Sequence, residues 1–192
     1  MNITRSAALV LLALAFITPA RAEGWSIDQL MHLLQQTRTA HAHFVEKKSI
    51  AMLEEPVTSS GELFYTAPNR LEKRTLEPKP ESMLLDGNTL VIEQGRKKHV
   101  LQLARYPEIA AFIDSIRGAL AGDRAALERS YTLSLSGTEE SWALQLEPKA
   151  EKVKKVLTRI RIAGARDALH SIAIDQADGD SSFMTITPLS AQ

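Results

Sequence analysis

The side chains that could carry chemistry in this sequence are few, and their spacing limits what they can do. His41 and His43 stand two apart in the alternating run HAHFVEKK, so a strand there puts both rings on one face. Two imidazoles begin a metal site, but no third ligand follows nearby, and His99 and His170 are distant in sequence. The acidic stretch DQADGD at 175–180 has the composition of a calcium loop without its alternating carboxylates, and reads better as a hairpin turn. Ser60 beside Gly61 is the one candidate nucleophile, with a turn residue as the alternative. The sequence contains no G-x-S-x-G, no H-E-x-x-H, no glycine loop for phosphate and no cysteine. The expectation is a protein that is not an enzyme, with no catalytic residue, no metal and no cofactor.

Charge is the remaining resource. Glu54-Glu55 and Glu139-Glu140 read as solvated faces, as does the basic run Lys149, Lys152, Lys154, Lys155, Arg159 and Arg161. Its alternative use is docking of an acidic partner or an anionic membrane surface through Lys152, Lys154, Lys155 and Arg159.

Hydrophobic periodicity supplies the elements that position these groups. Ser26 with Gln29 three residues later is a capping-box pattern, and Ile27, Leu30, Met31 and Leu34 then recur at helical spacing. From Ala42 the period falls to two. Strands are predicted over 44–53, 61–67, 70–76, 82–85, 89–93 and 97–103, with tight turns at Asp86-Gly87-Asn88 and Gly95-Arg96. A helical stretch follows: Pro107 suits a first turn, Ile109, Phe112, Ile113, Ile116 and Leu120 line one face, and Gly122-Asp123 ends it or restarts a second helix. Strands resume over 131–136, 142–147, 153–162, 168–175 and 182–187.

About eleven strands are more than an open sheet usually holds. The predicted fold is mainly β (α+β): a strongly curved antiparallel sheet, an incomplete β-barrel, with an N-terminal helix and a helical interruption between its two groups of strands. Alternation assigns its concave face. Leu63 and Tyr65 share it in the first hairpin, Leu90, Ile92, Leu101 and Leu103 continue it, and Leu133, Leu135, Leu144 and Leu146 supply the second half. Trp142, Ile160, Ile162, Ile172 and Ile174 extend the same set. Such a face either fills a core or lines a ligand cavity, and both uses need the same residues.

Residues 1–22, MNITRSAALVLLALAFITPARA, carry an early arginine, an apolar core, a proline break and small residues at Ala20 and Ala22. That is the build of a cleavable secretory signal, because about eleven apolar residues are too few to span a bilayer. Cleavage after Ala22 leaves 170 of the 192 residues as one domain, 23–192, exported and soluble. Removing Arg5 and Arg21 leaves 21 basic residues against 23 acidic ones, a balance that argues against nucleic acid as a partner.

The stretch SGELFYTAPNRLEKRTLEPKPESMLLDGNTLVIE resembles the outer-membrane lipoprotein carrier family, LolA. Gly61-Glu62-Leu63-Phe64, Pro68, Pro78, Asp86-Gly87 and Leu90 carry the likeness; Trp142 to Lys149 is similar to a later L-x-P-K element, and 183–188 to the last strand. The resemblance covers most of 27–188. It implies an unclosed barrel whose helical lid, here Ile109, Phe112, Ile113 and Ile116, closes an apolar cavity. It further implies a monomeric periplasmic carrier that takes an acylated lipoprotein or lipid-like cargo from an inner-membrane donor complex to an outer-membrane acceptor. Where the family usually has an arginine before the first-hairpin proline, holding the empty lid shut, this chain has Ala67, and the aromatic after that proline is missing too. Arg70 and Arg74 are the possible substitutes. That divergence admits a second reading, an accessory subunit of an envelope lipid or aryl-polyene-type pigment export system with a packed core and a protein-binding surface.

Overall fold

The computed structural model of the protein describes residues 25–189, so the leader expected over residues 1–22 lies outside the described residues. A short helix, α1 (Ile27–Leu34), comes first. Its start is fixed by the reciprocal pair read from the sequence: Gln29 N–H donates to Ser26 Oγ, and Ser26 N–H donates to Gln29 Oε1. Six strands follow: β1 (Thr39–Ser49), β2 (Val57–Thr66), β3 (Arg70–Glu77), β4 (Glu81–Asp86), β5 (Thr89–Gln94) and β6 (Lys97–Gln102). A 3-10 turn at Leu103–Arg105 leads into α2 (Pro107–Leu120) and α3 (Arg124–Ser130). The chain then adds β7 (Tyr131–Thr138), β8 (Ser141–Pro148), a single helical turn α4 (Glu151–Lys154), β9 (Leu157–Ala165), β10 (Ala168–Gln176) and β11 (Ser181–Pro188).

All eleven strands form one antiparallel sheet in the order β6-β5-β4-β3-β2-β1-β11-β10-β9-β8-β7. Two meanders are spliced where β1 pairs with β11, from Ala42↔Pro188 to Ser49↔Ser181. The sheet edges, β6 and β7, are consecutive in the chain yet unpaired, and the helices occupy the gap between them. Laid flat, eleven strands would span about 50 Å. A single helix about 10 Å wide could not touch both halves of such a sheet. Here α2 does: Phe112 and Ile116 pack on the cluster built from β7–β11, while Ala110 and Ile113 pack on the cluster of Leu85, Leu90 and Leu103. The sheet therefore curls around α2 as an unclosed barrel.

Several boundaries differ from those predicted, among them the start of β2, at Val57 rather than at 61. β1 starts at Thr39 and stops at Ser49, short of residue 53, because the chain turns there and Ala51 N–H is taken by Asp180 Oδ1. Leu103 leaves the strand for the 3-10 turn, its N–H bonded to Asn88 O. The strand predicted over 153–162 begins only at Leu157, because Val153 and Lys154 N–H groups fold back onto Ala150 O as α4.

Glycine decides one junction. Gly122 closes α2 at φ +64°, and a Cβ there would lie 2.2 Å from Met31 O of α1. A side chain thus meets both backbone strain and collision at the point where α1 abuts the lid. Gly122→Ala is expected to destabilise the fold by more than about 1 kcal/mol, read as a lowered midpoint in urea unfolding with unchanged m.

Candidate functional site

The register places all the apolar side chains singled out on the strands on one face. Leu133, Leu146, Ile160 and Ile174 form one cross-strand row, and Leu135, Leu144, Ile162 and Ile172 the next. In the other half Tyr65, Leu71, Leu85, Leu90 and Leu101 lie opposite one another, followed by the row Leu63, Lys73, Met83 and Ile92. Trp142 joins the first half, its indole N–H donated to Arg166 O.

Exposure divides this face. Trp142, Leu144, Leu146, Ile160 and Ile162 are sealed in a core with α1's Leu30, Met31 and Leu34, which makes them scaffold in this closed state. Leu63, Ile92, Leu101, Leu133, Leu135 and Ile174 remain half-buried, four of them packed against that same core. Phe44 and Tyr65 are buried but belong to neither cluster. They mark a seam between the two aliphatic halves, with α2 seated on both sides of it.

Of the four lid residues, Phe112, Ile113 and Ile116 pack against the sheet clusters, and Ile109 points outward at 38% exposure. Two hydrogen bonds fasten the helix. Tyr131 Oη, at the start of β7, donates to Ala111 O at 2.9 Å. Burial pushes this phenol up to about 12, with the Asp114 charge adding to the effect, so it stays a proton donor at any neutral pH. On the far side Arg117 Nη1 donates to Gly87 O in the β4–β5 turn at 2.8 Å, its other nitrogen held by Asp114 at 2.5 Å. Neither cation considered as a substitute at Ala67 reaches the lid: Arg70 bonds Asp86, and Arg74 bonds Glu72 and covers the Phe64 ring on the convex face. The helix itself carries the arginine, aimed at the sheet.

Sequence reasoning missed a charged pair on the concave face. Glu46 continues the inward phase of Ala42 and Phe44, and Lys73 that of Leu71. Lys73 Nζ lies 2.5 Å from Glu46 Oε2 and 4.8 Å from the centre of the Phe44 ring. The β2 residue opposite Phe44 is Gly61, which puts no side chain between β1 and β3 at that level. Burial pushes the Glu46 carboxyl up, but Lys73 outweighs it by charge and hydrogen bond, with smaller help from Lys48 and Ser182, so the net shift is downward from 4.5. The alternation itself was the signal: E and K at inward positions of HAHFVEKK and NRLEKR.

Two clefts flank α2. One of about 360 Å³ lies between the β2–β3 turn at Pro68-Asn69, α2 and α3. The other, of about 530 Å³, runs from Leu103 and Pro107 past Asp114 and Arg129 to Lys149 and Val153. Of the fifteen concave-face residues singled out, only Leu103 lines either of these two clefts.

The other polar candidates scatter. His41 and His43 share the exposed convex face, where His41 stacks on Phe64 at 4.4 Å, and no group of three metal-binding side chains occurs among the described residues. Of the stretch 175–180, Asp175 and Gln176 end β10 and residues 177–180 form the β10–β11 turn. Ser60 sits at the β2–β3 bulge. Within the basic run, Lys154 is paired with Glu151 and Arg159 with Asp175, which leaves Lys149, Lys152, Lys155 and Arg161 without an ion pair among the described residues, Lys149 donating to Glu128 O instead.

Comparison with known proteins adds a family. The family model described as "Outer membrane lipoprotein carrier protein LolA-like" matches residues 19–188. A protein of Dechloromonas aromatica named outer-membrane lipoprotein carrier protein is 29% identical over 152 residues, 78% of this chain and 70% of its own. A like-named protein of Ralstonia nicotianae is 25% identical over 175 residues, 88% of this chain and 78% of its own. Among solved structures, a LolA superfamily protein from Nitrosomonas europaea superposes with a TM-score of 0.48 at 10% identity, covering 86% of this chain and 92% of that one.

The lowered Glu46 pKa carries a sign. Its stabilising contribution is complete above the unfolded carboxyl value and is lost as pH falls through the folded one, below 4.5. Wild-type stability is expected to drop across that acid range, and in Glu46→Gln the drop should flatten, as measured by urea midpoints from pH 6 to pH 3.

Proposed function

The chain belongs to the LolA-like outer membrane lipoprotein carrier family, and from that premise we propose that it is a non-enzymatic carrier of acyl chains in the periplasm. The observation that carries this reading is α2: one amphipathic helix, tied by two hydrogen bonds, covers two aliphatic halves of an unclosed barrel. In this reading the helix is a plug that cargo replaces. The exchange is energetically reasonable. An acyl chain leaving water gains about 0.8 kcal/mol per buried methylene. A few methylenes therefore offset the loss of the half-buried seats of Phe112, Ile113 and Ile116, together with tethers worth about 1 kcal/mol each.

The remainder follows from the same reading. The leader is removed after Ala22, so the mature chain begins at Glu23 and works as one domain. It receives lipoprotein acyl chains or a related lipid at an inner-membrane donor and passes them to an outer-membrane acceptor, as a monomer. No helix among the described residues is long and apolar enough to cross a membrane. Of the four basic residues expected to dock a partner, Lys152 and Lys155 are the two not held in an ion pair.

Native mass spectrometry of protein isolated from its own periplasm tests this directly. The expected spectrum contains the chain from Glu23 with a stoichiometric acylated ligand, lost in Ile92→Asp with circular dichroism unchanged. A ligand-free mass together with no uptake of an environment-sensitive acyl probe would overturn the carrier and favour the accessory-subunit reading. In stopped-flow mixing with such a probe, Tyr131→Phe and Arg117→Ala should each take it up about fivefold faster than wild type, because each removes one tether from the closed lid.

A further inference from the structure

The sheet's two edges, β6 and β7, do not pair, and the larger of the two clefts beside α2 opens between them. Of its lining, Leu103 and Ala104 directly follow β6, and Arg129 and Ser130 directly precede β7. At about 530 Å³ the cleft falls within the about 300–1,000 Å³ of small-molecule sites. The space exists because α2 presents Ala110 and Ala111 there, where longer side chains would fill it.

The walls are of two kinds. Leu103, Pro107, Ala110, Ala111 and Val153 are apolar, whereas Asp114, Arg129 and Lys149 bring charge, and those charges do not cancel within the cleft. Asp114 is held by Arg117 at 2.5 Å. The carboxylates on the neighbouring elements are taken as well, Glu128 by Arg124 and Glu151 by Lys154. Arg129 has no ion pair and no side-chain hydrogen bond among the described residues, and Lys149 Nζ gives one hydrogen to Glu128 O at 2.6 Å and keeps two. Two cations with unspent donors thus border an apolar recess. Arg129 offers a planar fork that matches two oxygens of one anion, and Lys149 adds a compact charge beside it. A neutral apolar ligand would leave both cations idle. A bare inorganic anion would leave the apolar wall wet. A molecule with an anionic head and an alkyl chain uses both.

We propose that this cleft is a binding site for an anionic amphiphile, its phosphate or carboxylate head on Arg129 and Lys149 and its alkyl chain against Leu103, Pro107 and Val153. The site is open while the lid is seated, and Leu103 is its one residue among the fifteen concave-face positions, so it is separate from the sleeve under α2 and does not depend on the carrier reading. Its occupant would lie beside one of the two lid tethers, because Tyr131 donates to Ala111 O in the cleft wall.

The test is isothermal titration calorimetry of the mature protein with octyl phosphate, octanoate, octanol and inorganic phosphate. The two anionic amphiphiles are expected to bind about tenfold more tightly than octanol, and octyl phosphate about tenfold more tightly than inorganic phosphate. Arg129→Ala should close most of the gap to octanol while leaving octanol affinity and the urea midpoint unchanged, and Arg129→Lys should keep part of it. Raised salt should narrow the same gap. Ala104→Trp, which fills the cleft from an exposed turn position, should erase it. Octyl phosphate bound more tightly than octanoate supports the site with a phosphate-headed lipid as its ligand, and the reverse order supports it with a fatty acid. No measurable binding of either amphiphile, inorganic phosphate bound as tightly as octyl phosphate, or a gap that survives Arg129→Ala or Ala104→Trp overturns the site. Uptake of the acyl probe by the same samples separates the two readings. Uptake without a charge preference leaves the carrier and sinks the cleft, and a charge preference without uptake does the opposite.

Discussion

An antiparallel sheet of eleven strands with one aliphatic face must keep that face dry, and in this protein a single fourteen-residue helix meets the need for both halves at once. The rest of the structure serves this contact. The meanders join through β1 and β11 so that the sheet can curl, the edges β6 and β7 stay apart so that a connection can pass between them, and α1 covers the part of the face that α2 does not reach. Closing the barrel by pairing β6 with β7 would remove the edges but also the opening. The half-barrel thus leaves its edges unpaired while one helix covers both aliphatic halves.

The fastening of that helix shows how one physical need can be met by different residues. With Ala67 before the proline, the β2–β3 turn offers no guanidinium to the lid. The closed position is held by a phenol from β7 and by an arginine on the lid that grips a turn carbonyl. Both bonds end on backbone carbonyls, which any sequence supplies, so this kind of tether can move around the rim without a matched change in its partner. Each is a single hydrogen bond to a carbonyl, which costs less to break than a fully buried ion pair between helix and sheet would.

Much of the fold was legible because strand alternation and helical spacing are local. Eleven strands, the capping box at Ser26, the turns at Gly87 and Gly95 and the two helices before Tyr131 follow from periods of two and of 3.6 and from the few residues that tolerate tight turns. The α4 turn was not legible, since EKVKKVLTRI satisfies an alternating pattern as well as a helical turn, and only the need to reverse the chain between β8 and β9 separates them. Nor was the outward direction of Ile109, which belongs to the apolar stripe by spacing but lies beyond the edge of the surface that stripe covers.

What the sequence determined by itself is which residues face inward: all fifteen chosen apolar positions lie on the covered side or in the turn beneath α2, because side-chain alternation is a property of the backbone. Tertiary structure decided how that face is divided. It chose which of those residues are sealed by α1 and which stay accessible, which lid side chains are seated, and that Glu46 and Lys73, 27 positions apart, become partners across a strand whose middle is a glycine. Those outcomes depend on the register between strands and on where helices come to rest, and a linear pattern carries neither.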